Sequence, residues 1–346
     1  MPEPLYRVGF VSCSRIAYED AFGQQPPCKL KSEDFNQPVW GQITDQHRQR
    51  KLDAMLLLGD QVYSDYSPGI RPKTLKPALF HDLMYTMYQG QYNAVTGFKK
   101  LFESLKNSNT KIGAVWDDHD FGYNNGSGLE PLFLNKLGST KVLFEQFVAT
   151  LSSPTAIYPP KPVLPTVQPT TGIERIANPI QLGSDVEIVL LDGRFYRSVD
   201  QGKNGELLGQ KQWRELKDKL ENWDSKKLLI VCLGSTYSVG GLLSDQSWMN
   251  KRAGVPYAYF DEFTALAKSK RIIFLSGDIH KNKFIDHGGF CEVISSGAYL
   301  PREGDKSRFG LLDIYADRVE VKLFEGNQID KRQSKTINRT TGSVQP

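Results

Sequence analysis

Four stretches of this chain place metal-ligand residue types just after a short apolar run. Tyr6–Val11 is followed by Ser12-Cys13-Ser14, and Ala54–Leu58 by Gly59-Asp60, with Tyr63 three residues further on. Lys111–Trp116 leads into Asp117-Asp118-His119-Asp120, and Arg271–Leu275 leads through Ser276 into Gly277-Asp278-Ile279-His280. Each alone has a bland explanation. A Gly-Asp after a strand is usually a turn, and a lone cysteine is usually a small buried hydrophobe. Four in order along one chain ask for a common cause. Carboxylates gathered in one place repel each other, and burying them unpaired is costly. A pair of metal ions removes that conflict, and two metals can also clamp a phosphoryl transition state.

The apolar runs must bring these residues together. Tyr6–Val11, Ala54–Leu58, Lys111–Trp116, Val186–Leu191, Leu228–Leu233, Arg271–Leu275 and Glu292–Ile294 have strand length and are rich in β-branched residues. Their near-continuous apolar character predicts strands covered on both faces. Ligands in such α/β sheets bind beyond the carboxyl ends of the strands, so the four ends should converge on one rim. Helices are expected over Val39–Lys51, Gln210–Trp223 and Phe260–Ser269, and a hairpin over Gly310–Ile314 and Arg318–Phe324. Ser64–Lys106, rich in aromatics, is read as a mostly helical insertion. Leu151–Pro179, rich in proline and threonine, is read as a long surface loop. Both insertions are expected to shape the substrate entrance. The chain is expected to be a single domain, residues 1–346, with a flexible tail from about residue 328.

Bulk properties exclude several classes. At 346 residues, with 24% charged residues, the chain can bury a large core, and its net charge of +4 is scattered rather than gathered into a nucleic-acid patch. A small phosphoester is the expected partner, with no sequence-specific nucleic acid, no transmembrane segment and a monomeric state. Cys13, Cys28, Cys232 and Cys291 show no CxxC spacing, so no disulfide framework is expected, and Cys232 and Cys291 read as buried thiols. His47, His81 and His287 lack partner motifs and are read as solvent-facing. The N-terminus as written, MPEPLYRVGFVSCS, has no basic region followed by an apolar stretch. The expectation is a cytoplasmic protein, or a secreted or periplasmic one if a leader precedes it.

These motifs resemble a known family. Gly59-Asp60-Gln61-Val62-Tyr63 looks like the GDxxY element of the PhoD-like (alkaline phosphatase D) metallophosphatases. Trp116 to Asn125 resembles their WDDHD/E…NN element, and Leu191-Asp192-Gly193-Arg194-Phe195-Tyr196-Arg197 their LDxRxYR element. Ser247-Trp248 and Leu275 to His280 fit as well. The ligand order is also similar to the purple acid phosphatases. The resemblance covers roughly residues 5 to 325. It implies an α/β fold, a calcineurin-like metallophosphoesterase sandwich of two mixed β-sheets flanked by helices.

Resemblance and spacing together suggest two metal sites bridged by Asp60, whose carboxylate offers two oxygens. The first would take Cys13, Asp60, Tyr63 and His280. A tyrosine with an ordinary pKa of about 10 favours a trivalent ion, so iron(III), Fe3+, is expected there. The second would take Asp60, Asp118 and Asp278, with Asn124 a weaker candidate. Its oxygen donors favour a hard cation, one or two Ca2+, with Mn2+ or Mg2+ as rivals. No serine elbow is present, so the nucleophile is expected to be a metal-bound hydroxide. His119 would protonate the leaving group with Asp120 holding its ring, and Arg194 would clamp the phosphate. The expected activity is alkaline phosphatase or phosphodiesterase. A phospholipase- or nuclease-like diesterase, and a non-catalytic metal- or phosphate-binding protein, are the alternatives.

Overall fold

The computed structural model describes residues 3–17, 19, 29–66, 70–173, 176–198, 205–239, 247–249, 255–300 and 307–345. Apolar strands packed on both faces dictate a layered architecture. One sheet contains β1 (Tyr6–Val11), β2 (Ala54–Leu58), β3 (Lys111–Val115), β10 (Arg308–Ile314), β11 (Arg318–Glu325), β12 (Gln328–Ile329), β13 (Lys335–Asn338) and β14 (Val344–Gln345). Its order is β14-β13-β11-β10-β1-β2-β3, with β12 paired to β11. The other runs β4-β5-β6-β7-β9-β8, from β4 (Ile180–Leu182), β5 (Val186–Leu190), β6 (Leu228–Cys232), β7 (Ile273–Ser276), β8 (Asn282–Asp286) and β9 (Cys291–Ser295). Both sheets are mixed: in the first, β1, β2 and β3 run parallel at one side and the other pairings are antiparallel, while in the second parallel β5, β6, β7 and β9 lie between antiparallel β4 and β8.

The sheets meet face to face over one core. Phe10, Leu56, Leu58 and Val115 of the first pack with Ile188, Leu190, Ile230, Leu275 and Val293 of the second. The outer face of the first sheet is covered by α1 (Pro38–Gln49), α2 (Pro77–Asn93), α3 (Phe98–Asn107) and α5 (Leu137–Ser152), and α4 (Asp118–Phe121) is a single turn just after β3. The outer face of the second is covered by α6 (Gln210–Glu221) and α7 (Phe260–Lys270). The architecture is therefore the expected sandwich of two mixed sheets flanked by helices. Parallel register fixes the level of the strand ends. Val11 stands beside Leu57 and Leu58 beside Val115, while Leu190, Cys232 and Leu275 align across the second sheet. The residues following β1, β2, β3, β5, β6 and β7 thus emerge on one rim.

Several expectations need correction. The tail from about residue 328 is built into the first sheet: β13 pairs with β11, and Ile337 is buried beside Val319 and Val321. Arg271 does not begin a strand, because it caps α7 in the left-handed region at φ +53°. His47 and His81 are buried, not solvent-facing. His47 Nδ1 accepts the Leu52 N–H at 3.1 Å, and His81 lies 3.1 Å from Ser139 Oγ and 2.8 Å from the Pro162 carbonyl. His287 is half-buried against Phe290. Cys13, Cys232 and Cys291 are free buried thiols, while Cys28 lies outside the described residues.

The insertions divide. Among its described residues, Ser64–Lys106 forms α2, most of α3 and two short 3-10 turns. Among its described residues, Leu151–Pro179 runs as irregular chain after the end of α5, fastened to α2 and α5 and, through the Ile173 N–H, to Asp192 just beyond β5 at 2.9 Å. Tyr85 Oη donates to the Pro159 carbonyl, and Gly138 N–H donates to Gln168.

Candidate metal centre

The strand ends are held by unusual backbone. Cys13, Asp60, Asp278 and His280 have φ of +60°, +56°, +72° and +54°. Non-glycine residues reach this left-handed region at a cost of order 1–3 kcal/mol, and such strain concentrates at functional sites. Two glycines let the ends close together. A Cβ on Gly59 would lie 2.5 Å from Asp117 Cβ, and one on Gly277 would lie 2.5 Å from the Leu58 carbonyl. Cross-links between ends complete the frame: Cys13 N–H to the Gly59 carbonyl at 3.1 Å, and Gly277 N–H to the Gly234 carbonyl at 2.9 Å.

Asp60 lies at the junction of two groups. On one side, Cys13 Sγ is 3.3 Å and Tyr63 Oη 3.4 Å from Asp60 Oδ2, and Tyr63 Oη is also 3.4 Å from His280 Nε2. Leu300 packs on Cys13 and Tyr63. Burial pushes the Cys13 thiol up to about 11 and holds the Tyr63 phenol well above its usual value, so both keep their protons at neutral pH. On the other side, carboxylate oxygens of Asp60, Asp117, Asp118 and Asp278 all lie within 4.8 Å of one another. Burial raises Asp278 to about 7, with Asp117 and Asp118 adding to the shift, and burial likewise raises Asp60. For Asp118, burial is outweighed by the Arg194 charge, which holds it below the carboxylate range. Asp117 Oδ2 is buried with no hydrogen-bond partner. Three buried carboxylates and the half-buried Asp278 facing one another, one with an unmatched oxygen, are a donor set that fits cations.

The residues behind this cluster differ from expectation. Asp120 does not hold the His119 ring. Its oxygens accept the backbone N–H groups of Asp60 at 2.6 Å, Gln61 at 2.9 Å and Asp117 at 3.1 Å, and the Tyr88 hydroxyl at 3.3 Å. Asp120 therefore shapes the turns that present Asp60 and Asp117. The partner of His119 is Asp65, whose Oδ1 lies 2.7 Å from Nδ1. Burial works against charge on His119, but Asp118 and Asp65 override it and lift the ring to about 10. Arg194 is wholly buried, with Nε 2.5 Å from Asp117 Oδ1 and Nη2 3.5 Å from Asp118 Oδ1, so its guanidinium serves carboxylates rather than an open phosphate seat. Asn124 is exposed and meets the site through its backbone N–H, which donates to Asp65 at 2.7 Å. It is Asn125 whose N–H reaches Asp118, at 2.6 Å.

The structure thus gathers Cys13, Asp60, Tyr63, Asp118, Asp278 and His280, with His119 and Arg194 beside them. Sequence reasoning missed three contributors. Asp117 was legible as the first acid of its motif but is one of two neighbouring acids that spacing alone does not rank. Asp65 follows Asp60 by five residues with no motif of its own, and a 3-10 turn over Ser64–Tyr66 carries it to His119. Ser235, which donates to Asp117 at 2.9 Å and accepts from Arg197 at 2.7 Å, gave no signal. Of Ser247-Trp248, Trp248 is buried among Trp213, Tyr237 and Phe263.

Comparison with known proteins agrees with this geometry. No curated protein matches the sequence. Among solved structures, the fold is similar to that of PhoD at TM-score 0.60 and 16% identity, covering 100% of this chain and 72% of that one. It is also similar to a dimetal phosphatase from Danio rerio at TM-score 0.52 and 12% identity, covering 97% and 100%. Residues 10–288, most of the chain and every ligand-bearing strand end, match the family described as PhoD-like phosphatase, and the chain belongs to that family.

Proposed function

We propose that this metal-dependent phosphoric ester hydrolase acts on phosphomonoesters, phosphodiesters or both through two adjoining metal sites that share Asp60. Iron(III) is assigned to Cys13, Asp60, Tyr63 and His280, and calcium to Asp60, Asp117, Asp118 and Asp278. Manganese or magnesium competes for the second, since all three are oxygen-seeking cations. Support comes from Asp60, whose Oδ2 faces the thiol and phenol while its carboxylate also belongs to the four-acid group. Bound ions would supply an acidified water and neutralise charge on the phosphoryl oxygens.

The chain's own residues supply the rest. Asp65 fixes the His119 ring through Nδ1, leaving Nε2 to give a proton to the departing oxygen. Arg194 holds Asp117 and Asp118 in place, and Asp120 holds the turn that presents Asp60. The test is metal analysis of unsupplemented protein, paired with assays of an aryl phosphate and a bis-aryl phosphodiester at neutral to alkaline pH. Hydrolysis should vanish under strong chelation and return with metal. Full activity in demetallated protein would overturn the reading.

A further inference from the structure

With Arg194 committed to carboxylates, another arginine stands at the rim. Arg15 follows Cys13 by two residues, its N–H donating to the Tyr299 carbonyl at 3.0 Å. It is only 4% exposed, yet among the described residues its guanidinium makes no hydrogen bond or ion pair, and buried Nε has no partner. Its Cζ lies 5.1 Å from the centre of the Tyr66 ring, and its charge is felt by the buried Asp34 carboxyl. Tyr66 is 37% exposed, and its ring centre is 5.5 Å from that of His119 and 5.3 Å from that of Tyr63. A cation is thus parked one ring beyond the proton donor and the phenol of the metal centre. Burying a guanidinium without partners is costly, so a site that keeps one gains when an anion completes it.

We propose that Arg15 binds a second anionic group of the substrate, a carboxylate or phosphate carried beyond the reacting phosphoryl. This inference rests on the two-metal phosphoesterase reading. The contacts assign the role: Arg15 lies against Tyr66, whose ring neighbours both His119 and Tyr63, so Arg15 stands beside the reacting centre and meets what the ester carries next to the phosphoryl. The substrate class is therefore phosphoesters with an additional negative charge near the ester. The competing explanation is internal. Asp34 is fully buried with Oδ1 unpartnered, and Arg15 would then balance its charge, although no Arg15–Asp34 ion pair forms.

The experiment compares phosphonoacetate, a phosphonate carrying a carboxylate, with methylphosphonate as ligands of the metal-loaded protein. Calorimetry reads affinity, and melting temperature and metal content are measured alongside. The native protein should prefer phosphonoacetate. Arg15→Met should erase that preference by about tenfold to a hundredfold while leaving methylphosphonate binding and metal content unchanged, because a charge-assisted hydrogen bond carries that much. Arg15→Lys should restore part of it, and Asp34→Asn should keep it. No preference in the native protein, equal preference in Arg15→Met, or equal weakening of both ligands would overturn the proposal. Loss of the preference in Asp34→Asn would overturn it as well, in favour of the internal pair. Failure of the metal-loaded native protein to hydrolyse any phosphoester would instead defeat the phosphoesterase reading, and the ligand comparison would still decide Arg15.

Discussion

The two halves of the centre share Asp60 and little else. On one side stand a thiol, a phenol and an imidazole, each stable in a neutral form when buried. On the other, three more carboxylates crowd together with Arg194 against two of them. The first half can fold around its donors without a cation at modest electrostatic cost. The second carries an excess of negative charge that Arg194 offsets only in part. Metal binding should therefore matter more to the shape of the carboxylate side, and to the chemistry of both.

The largest expected effect comes from the residue common to both halves. Asp60→Ala should lose metal from both sites and hydrolysis with it; elemental analysis showing either metal at full occupancy would break the bridge. His119→Ala should keep both metals and lower turnover by about 10²–10⁴-fold, the usual loss for a catalytic acid. Metal loss in that variant would make His119 a ligand instead. Arg194→Met leaves Asp117 buried beside other acids, and breaking such a buried pair costs about 3–5 kcal/mol. Denaturant unfolding should register that loss with KM little changed; a large rise in KM at unchanged stability would restore the phosphate-clamp role.

Smaller effects sharpen the contrast. Asp65→Asn keeps the hydrogen-bonding shape around the ring and removes the charge. Losing a carboxylate that orients a working side chain typically costs about 10–100-fold, so turnover should fall less than in His119→Ala. An Asp65→Asn enzyme as slow as His119→Ala would give Asp65 a larger part than orientation. The gentlest probe is colour. Iron(III) held by a phenolate and a thiolate absorbs visible light through charge transfer, so Tyr63→Phe and Cys13→Ser should each shift or bleach the band, whereas substitutions of Asp117 or Asp278 should leave it nearly unmoved. A colourless, fully active protein would remove iron from the first half and leave the phosphoesterase chemistry in place.

Legibility in the sequence followed range. β1, β2 and the helices α1, α6 and α7 were readable to within two residues because apolar periodicity is local. β8 was not anticipated, since its Asn282–Asp286 stretch mixes charged with apolar residues and is a strand only because β9 offers an edge. The tail strands were missed for the same reason: Lys335–Asn338 becomes β13 when Ile337 finds the core. Within the site, residues announced by a motif at a strand end were found. Residues that reach it by turns, such as Asp65 and Ser235, were not.

The sequence by itself determined which side chains could bind metals, because acids, a thiol and imidazoles placed after apolar strands have few other uses together. It also determined that the strands are covered on both faces, while the sandwich of two sheets was what the family resemblance implied. Only the tertiary structure decided who serves whom. Asp120 and Asp65 are both carboxylates near His119, and composition cannot rank them. The 3-10 turn at Ser64–Tyr66 brings Asp65 to the ring, while Asp120 is turned onto the backbone of Asp60, Gln61 and Asp117. Arg194 was equally open to phosphate or carboxylate until burial placed Asp117 2.5 Å away. Residue type sets what a group can bind; the distance and burial that choose among partners arise only when strands far apart in sequence close on one rim.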